Sequence, residues 1–175
     1  SGADIGRATQ GAARGYLARV YLTLENWELA AQFAKEVIDF NIYRLMDDYA
    51  EVFKIANNNG PEVIFATQFT LNNDAIWETS QFNVRVLPLA LNRNRFEVTF
   101  QTSFEEADGT VRNFEPHIFK YWDQEAEPNA SSGGNDFFNM RYSDILLMYA
   151  EALNELNGPT QEAYDAVNEV RRRAR

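Results

Sequence analysis

The sequence has no cysteine and a single histidine, His117. A disulfide frame, a thiol nucleophile and a cysteine-based zinc site are therefore excluded. The lone imidazole, in "EPHIF", has neither a cysteine nor a second histidine to join it as a metal ligand. Basic residues are in the minority: 16 Lys and Arg stand against 26 Asp and Glu, a formal net charge of −10. A nucleic-acid partner would need a basic footprint. The one basic cluster, "RRRAR" at 171–175, closes a helical pattern, where it complements the helix dipole. No apolar run approaches the roughly 18 residues of a membrane-spanning helix. No Gly-rich phosphate loop and no Gly-x-Ser-x-Gly turn is present. No metal, no cofactor and no nucleic acid is expected.

What is present is ordinary globular composition with one excess. Hydrophobic residues make up 45% and charged residues 24% of the 175-residue chain, while aromatics reach 14%. Aromatics fill cores, and they also make flat platforms on which ligands stack. Ser1-Gly2 reads as a cloning remnant, and Arg175 falls inside a helical pattern with neither Gly nor Pro to stop it. The sequence is accordingly expected to be a piece of a longer protein.

The spacing predicts a helix over 8–24, with Ala8, Ala12, Tyr16, Leu17, Val20, Tyr21 and Leu24 on one face. Small residues Ala12, Ala13, Gly15 and Ala18 would let a second helix approach closely. After a break at Glu25-Asn26, with Asn26 as N-cap, a second helix over 27–40 carries Trp27, Ala30, Ala34, Val37 and Ile38 to the core. So tight a connection makes an antiparallel pair. A short helix is expected over 46–53, with Asp48 as N-cap and Glu51 as its partner. "EVIFATQF" (62–69) reads as a strand and 70–95 mainly as loop. "FEVTFQTSF" (96–104) alternates as a half-buried strand, "ADGT" (107–110) is a hairpin turn, and 111–122 could hold the return strand, interrupted by Pro116. "DQEAEPNASSGGND" (123–136) reads as a flexible connector.

"RYSDILLMYAEALNE" (141–155) then puts Tyr142, Ile145, Leu146, Tyr149, Ala152, Leu153 and Leu156 on one apolar face, with Leu147 and Met148 extending it. Arg141, Asp144, Met148, Glu151 and Glu155 fall on another stripe, where Arg141 can meet Asp144 at i,i+3. Gly158-Pro159 ends this helix. Thr160 caps a further one carrying Ala163, Val167 and Val170. The two helical pairs resemble each other in the manner of tetratricopeptide units, but lie roughly 130 residues apart instead of in tandem. The organisation is a single domain over 1–175: a first hairpin with its short helix at 5–56, a loop and strand insertion at 62–136, and a second hairpin at 137–175. The fold class is mainly α, tetratricopeptide-like hairpins bearing an irregular insertion with a few short strands.

Three blocks together resemble one family. "RATQGAARGYLARVYLTLENWELAAQFAKEVID", "YRLMDDYAEVF…GPEVIFATQF" and "KYWD…NDFFNMRYSDILLMYAEALNE…AYDAVNEVRRRA" are similar, in order and residue type, to SusD/RagB proteins. The resemblance implies a surface-exposed outer-membrane lipoprotein of Bacteroidetes. Such a protein binds glycans, starch-like or other, and passes them to a SusC-like TonB-dependent transporter without catalysis. It also implies a tetratricopeptide-like scaffold whose loops hold the ligand. The family's signal and lipidated cysteine, its first helical portion and its C-terminal region have no counterpart in these residues. The anchor and part of the glycan site are therefore expected outside them. The family's ligand residues do not lie in its signature motifs, so none carries over by position.

Residue chemistry gives its own candidates. Asp47/Asp48, Glu105/Glu106 and Glu151/Glu155 are paired carboxylates, but a glycosidase needs two facing one sugar from opposite sides. Neighbours on one helix do not supply that; capping and solvated faces explain them. Sugar binding asks for aromatic faces ringed by amides and charges. Trp77 and Phe82 stand among Asn72, Asn73, Asp74, Gln81 and Arg85, and Trp122 follows in "KYWD". Trp77 is the leading candidate, with packing of its loop as the competing role. The alternative function is a tetratricopeptide-like adaptor, holding a partner peptide in its helical groove.

Overall fold

A computed structural model of the chain describes residues 6–69, 103–105, 109–113, 121 and 133–174. Among them run α1 (Gln10–Thr23), α2 (Trp27–Asp39), β1 (Val63–Thr67), β2 (Ser103–Glu105), β3 (Val111–Asn113), β4 (Phe137–Arg141), α3 (Tyr142–Asn157) and α4 (Gln161–Arg173). The fold is mainly α. The chain divides into two compact units, one of Ser1–Val52, Asn59–Thr67 and Phe138–Arg175, the other of Phe53–Asn58 and Gln68–Phe137.

The first unit is built on the two expected hairpins. Thr9 Oγ1 accepts from the Ala12 N–H at 3.1 Å and starts α1. Its end is a Schellman turn: Asn26 N–H donates to Tyr21 O at 2.9 Å and Glu25 N–H to Leu22 O at 3.0 Å. Glu25 takes the left-handed φ of 56° that this turn requires. Asn26 then caps α2, accepting from Leu29 N–H at 3.2 Å. α2 buries Ala30, Ala31, Ala34 and Val37. Trp27 opens the helix only half-buried, not as a core residue.

α1 corrects the expected face. Its buried side is Gly11, Ala12, Gly15 and Ala18. The large residues Leu17, Val20 and Leu24 are 40%, 51% and 67% exposed. The small side wins because the neighbours come too close for anything larger. A Cβ at Gly15 would fall inside Met140 Sδ and lie 3.0 Å from Ile145 Cδ1, and one at Gly11 would strike the Tyr43 ring.

Residues 137–141, expected within the second hairpin, form strand β4, hydrogen-bonded to β1. The segment continues the β1 ladder, and Tyr142 N–H donates to Glu62 O at 2.8 Å where β4 hands over to α3. α3 buries Tyr142, Ile145, Leu146, Met148, Tyr149, Ala150 and Ala152, so Met148 belongs to the core and not to the polar stripe. Leu147 and Leu156 face outward, 43% and 42% exposed. Gly158, at φ 73°, ends α3, and Thr160 Oγ1 accepts from Ala163 N–H at 3.2 Å to start α4. α2 packs on α3 and α3 on α4. Alanines at 0–7% exposure on all three helices set that close spacing.

The expected short helix at 46–53 is a 3₁₀ turn, Ala50–Phe53. Asp48 Oδ1 accepts from Ala50 N–H at 2.8 Å, a local side-chain turn in so short a stretch that α-helix nucleation is not offset. In the second unit β2 and β3 pair antiparallel, with Phe104 opposite Arg112, and Gly109 has a φ of 82° in the turn between them. That is the expected hairpin. The rest of its predicted strands, 96–102 and 114–122, lies outside the described residues apart from Tyr121.

Candidate functional site

The densest polar constellation among the described residues is centred on Glu62, which is fully buried. Its carboxylate accepts from Arg173 Nη1 at 2.7 Å and Nη2 at 3.1 Å, from Arg141 Nη1 at 3.3 Å, and from the Met46 backbone N–H at 3.0 Å. The Tyr49 ring lies over both guanidinium groups, 4.9 Å from Arg173 and 5.8 Å from Arg141. Four segments meet here: residues 46–49, the residue before β1, the start of α3 and the last turn of α4. A buried carboxylate must be paired and hydrogen-bonded to be tolerated, and this one is. The arrangement leaves Glu62 committed to the scaffold and does not present it to a ligand.

Two sequence expectations change accordingly. Arg141 meets Asp144 at i,i+3 as expected, but through its backbone. Its backbone N–H donates to Asp144 Oδ2 at 2.8 Å, which caps α3 and leaves the guanidinium to reach Glu62. In "RRRAR", Arg171 and Arg172 are exposed beside the helix end, but Arg173 turns inward to Glu62. The Glu62 cluster was missed because its members are 79 and 111 residues apart in sequence. The available signal was an acidic residue at the head of a buried strand together with arginines in the two most specific blocks.

Among the described residues, the paired carboxylates do not face each other across a cleft. Glu151 and Glu155 are exposed on α3, and Asp47 and Asp48 are exposed beside the 3₁₀ turn. The Glu105/Glu106 side chains and His117 lie outside the described residues.

The second unit holds a different polar arrangement. Asn58 Nδ2 donates to Gly134 O at 2.7 Å, and Asn58 Oδ1 accepts from Asp136 N–H at 3.4 Å. Asn135 Nδ2 donates to Phe53 O at 3.4 Å, and Asp136 Oδ1 accepts from Phe69 N–H at 2.9 Å. Asn135 and Asp136 are both buried. Burial pushes the Asp136 carboxyl above its ordinary range, opposed by the Phe69 amide and the Gln68 side chain. Phe69 and Asp136 bracket the insertion in sequence, so these bonds fix both of its ends. Beside them Tyr121 meets Phe53 edge-on at 5.2 Å and stacks on Phe137 at 6.2 Å. Tyr121 has a φ of 66°, uncommon for a bulky side chain.

The candidate ligand residues Trp77, Phe82, Asn72, Asn73, Asp74, Gln81, Arg85 and Trp122 lie outside the described residues. Trp122 directly follows Tyr121. A groove of about 330 Å³ also opens along the second hairpin, lined by Leu147, Glu151 and Asn154 of α3 and Ala163, Tyr164 and Val167 of α4. Behind it Tyr149 donates to Glu162 Oε1 at 2.6 Å. Burial, then this bond to a carboxylate, raises the Tyr149 hydroxyl well above its ordinary range.

Comparison with known proteins agrees with the resemblance read from the sequence. The SusD family model matches residues 92–175. Two SusD-like proteins of Formosa agariphila align with 98% and 93% of this chain at 26% and 28% identity. This chain spans 42% and 41% of their lengths, under half of each relative. The crystal structure of a SusD superfamily protein from Parabacteroides distasonis superposes over 98% of this chain and 45% of its own, with a TM-score of 0.76 at 27% identity. A surface glycan-binding protein from Bacteroides uniformis shares the fold over 99% of this chain and 44% of its own, with a TM-score of 0.76 at 20% identity. Motif blocks, helical scaffold and relatives agree: residues 92–175 match the SusD family model, and the chain is similar to SusD-like proteins along nearly its whole length.

Proposed function

We propose that the protein binds glycans at the cell surface, without catalysis, and hands them to a SusC-like TonB-dependent transporter. The similarity to SusD-like proteins along nearly the whole chain is the observation that carries this reading. One protein of the same fold, with a TM-score of 0.70 at 23% identity, has been solved with a xylogluco-oligosaccharide. Its whole-chain counterpart here would be held at the outer membrane by a lipid anchor that lies outside these residues.

The binding residues are proposed on the insertion, not on the signature helices. Sugar C–H faces would stack on Trp77 and Phe82, with Trp122 as a further platform. Asn72, Asn73, Asp74, Gln81 and Arg85 would meet the hydroxyls. Affinity per sugar would be weak and would grow with the number of contacts along a longer chain. Non-catalytic binding rests on the similarity to SusD-like proteins. Titration of an oligosaccharide panel, xylogluco-oligosaccharides included, followed by Trp fluorescence, tests the proposal. A saturable change lost in Trp77→Ala is expected; no response from any sugar in wild type contradicts it.

The groove between α3 and α4 favours a second reading, a peptide-binding adaptor. Tyr164, 53% exposed on its rim, would then dominate binding. Loss of a bound peptide in Tyr164→Ala, with glycan titrations flat, would select that reading over the first.

A further inference from the structure

We propose that Asn59–Gly60 is a self-modification site. Asn59 is converted through a succinimide to isoaspartate and aspartate, and the isoaspartate form loosens the tie that Asn58 makes at the end of the insertion. The triplet Asn-Gly-Pro occurs twice, at 59–61 and at 157–159. As sequence the two copies are alike, and both asparagines are exposed to water. The fold separates them.

Asn157 closes α3, and the Gly158 N–H donates to Asn154 O at 2.8 Å. That nitrogen is the atom that must attack the Asn157 side chain, and the bond holds its proton. Asn59 stands outside every helix and strand, at a left-handed φ of 58°. Asn58 before it has φ −52° and ψ 133°, the backbone that leads into a left-handed residue in a type II turn. Among the described residues, the Gly60 N–H donates to nothing. Gly60 also has no Cβ to stand in the way of ring closure.

The step needs no co-reactant but water. The Gly60 nitrogen bonds to Asn59 Cγ as the Cγ–Nδ2 bond breaks, and the Gly60 amide proton leaves with the departing ammonia. Nucleophile and electrophile belong to adjacent residues, so a weak nucleophile reacts with an intramolecular advantage. Water then opens the imide at either carbonyl. Opening at Cγ gives aspartate and restores the backbone. Opening at the main-chain carbonyl gives isoaspartate, whose backbone runs through the side chain and is longer by a methylene. Asn58 Nδ2 donates to Gly134 O at 2.7 Å, and its Oδ1 accepts from the Asp136 N–H at 3.4 Å. A lengthened turn directly after Asn58 shifts the backbone from which both bonds are made.

The inference is independent of glycan binding. Its test is to age the whole protein in mildly alkaline buffer made with heavy-oxygen water, which tags each new carboxylate. Peptide mapping by mass spectrometry, with fragmentation that separates aspartate from isoaspartate, then reads both copies. Modification is expected about tenfold faster at residue 59 than at residue 157, the worth of the hydrogen bond that holds Gly158. Equal rates at the two copies, or no tag at residue 59, would overturn the site. Hydrogen exchange on the same samples reads the consequence. The Asp136 amide should exchange faster in aged than in fresh wild type, and at its fresh rate in aged Asn59→Gly, which suits the left-handed turn and has no side-chain amide to lose. An Asp136 amide equally protected in isoaspartate-bearing protein would overturn the link to the insertion.

Discussion

The signature helices and the ends of the insertion spend their polar residues on different tasks. In "RYSDILLMYAEALNE" the side chains that look chemically active are engaged internally or solvated: Asp144 caps α3, Arg141 reaches Glu62, and Glu151 and Glu155 face water. In the second unit the polar residues Asn58, Asn135 and Asp136 are spent on fixing the two ends of the insertion, and the aromatic and amide-rich stretch 72–85 lies between those ends in sequence. The polar side chains of the most recognisable segment are thus committed to the fold or to water.

The contrast is broken most severely at Glu62. Glu62→Ala leaves two guanidinium groups without their buried partner and should cost about 3–5 kcal/mol of unfolding free energy. A shift in the urea midpoint would show it. Replacing all three members, Glu62→Leu with Arg141→Met and Arg173→Met, should cost much less because no charge is left stranded. Gly15→Ala comes next: the added methyl meets Met140 and Ile145, and overpacking of this kind costs about 1–3 kcal/mol despite a better helix former. Thr160→Ala removes the α4 cap and should cost about 1 kcal/mol in the same assay.

The smallest effect belongs to the ties of the insertion. The Asp136 carboxyl has a folded-state pKa raised above its unfolded value, chiefly by burial. Its contribution is therefore fully present below about pH 4 and is lost as pH rises through the folded value. Asp136→Asn should flatten that part of the stability–pH curve while leaving the bond from Phe69 N–H an acceptor. An unchanged slope in thermal melts between pH 4 and 7 would show that Asp136 is not its source.

The hairpins were legible in the sequence because caps and periodicity agreed: Asn26 and Thr160 start α2 and α4, and Gly158 stops α3. β4 was not legible. Five residues between a connector and a strong helix give no period of their own, and the partner β1 that makes them a strand is some 70 residues away, as the Asn139–Thr67 bond shows at a separation of 72. The face of α1 misled for another reason. A helix apolar on opposite sides has no single stripe, and close approach at Gly11 and Gly15 decided which side was buried. The ligand candidates rest on residue chemistry alone, since a polar loop carries no periodicity to place Trp77 or Trp122.

The central claim, that the signature segment is scaffold and the insertion binds, is tested most directly by one calorimetric comparison. An oligosaccharide found to bind the wild type is titrated into Trp77→Ala and Arg141→Lys, with melting midpoints taken on the same samples. Trp77→Ala should weaken binding by about tenfold at an unchanged midpoint, the loss of one stacking platform. Arg141→Lys should lower the midpoint and leave the dissociation constant as in wild type. A dissociation constant that responds to Arg141 and ignores Trp77 would contradict the account.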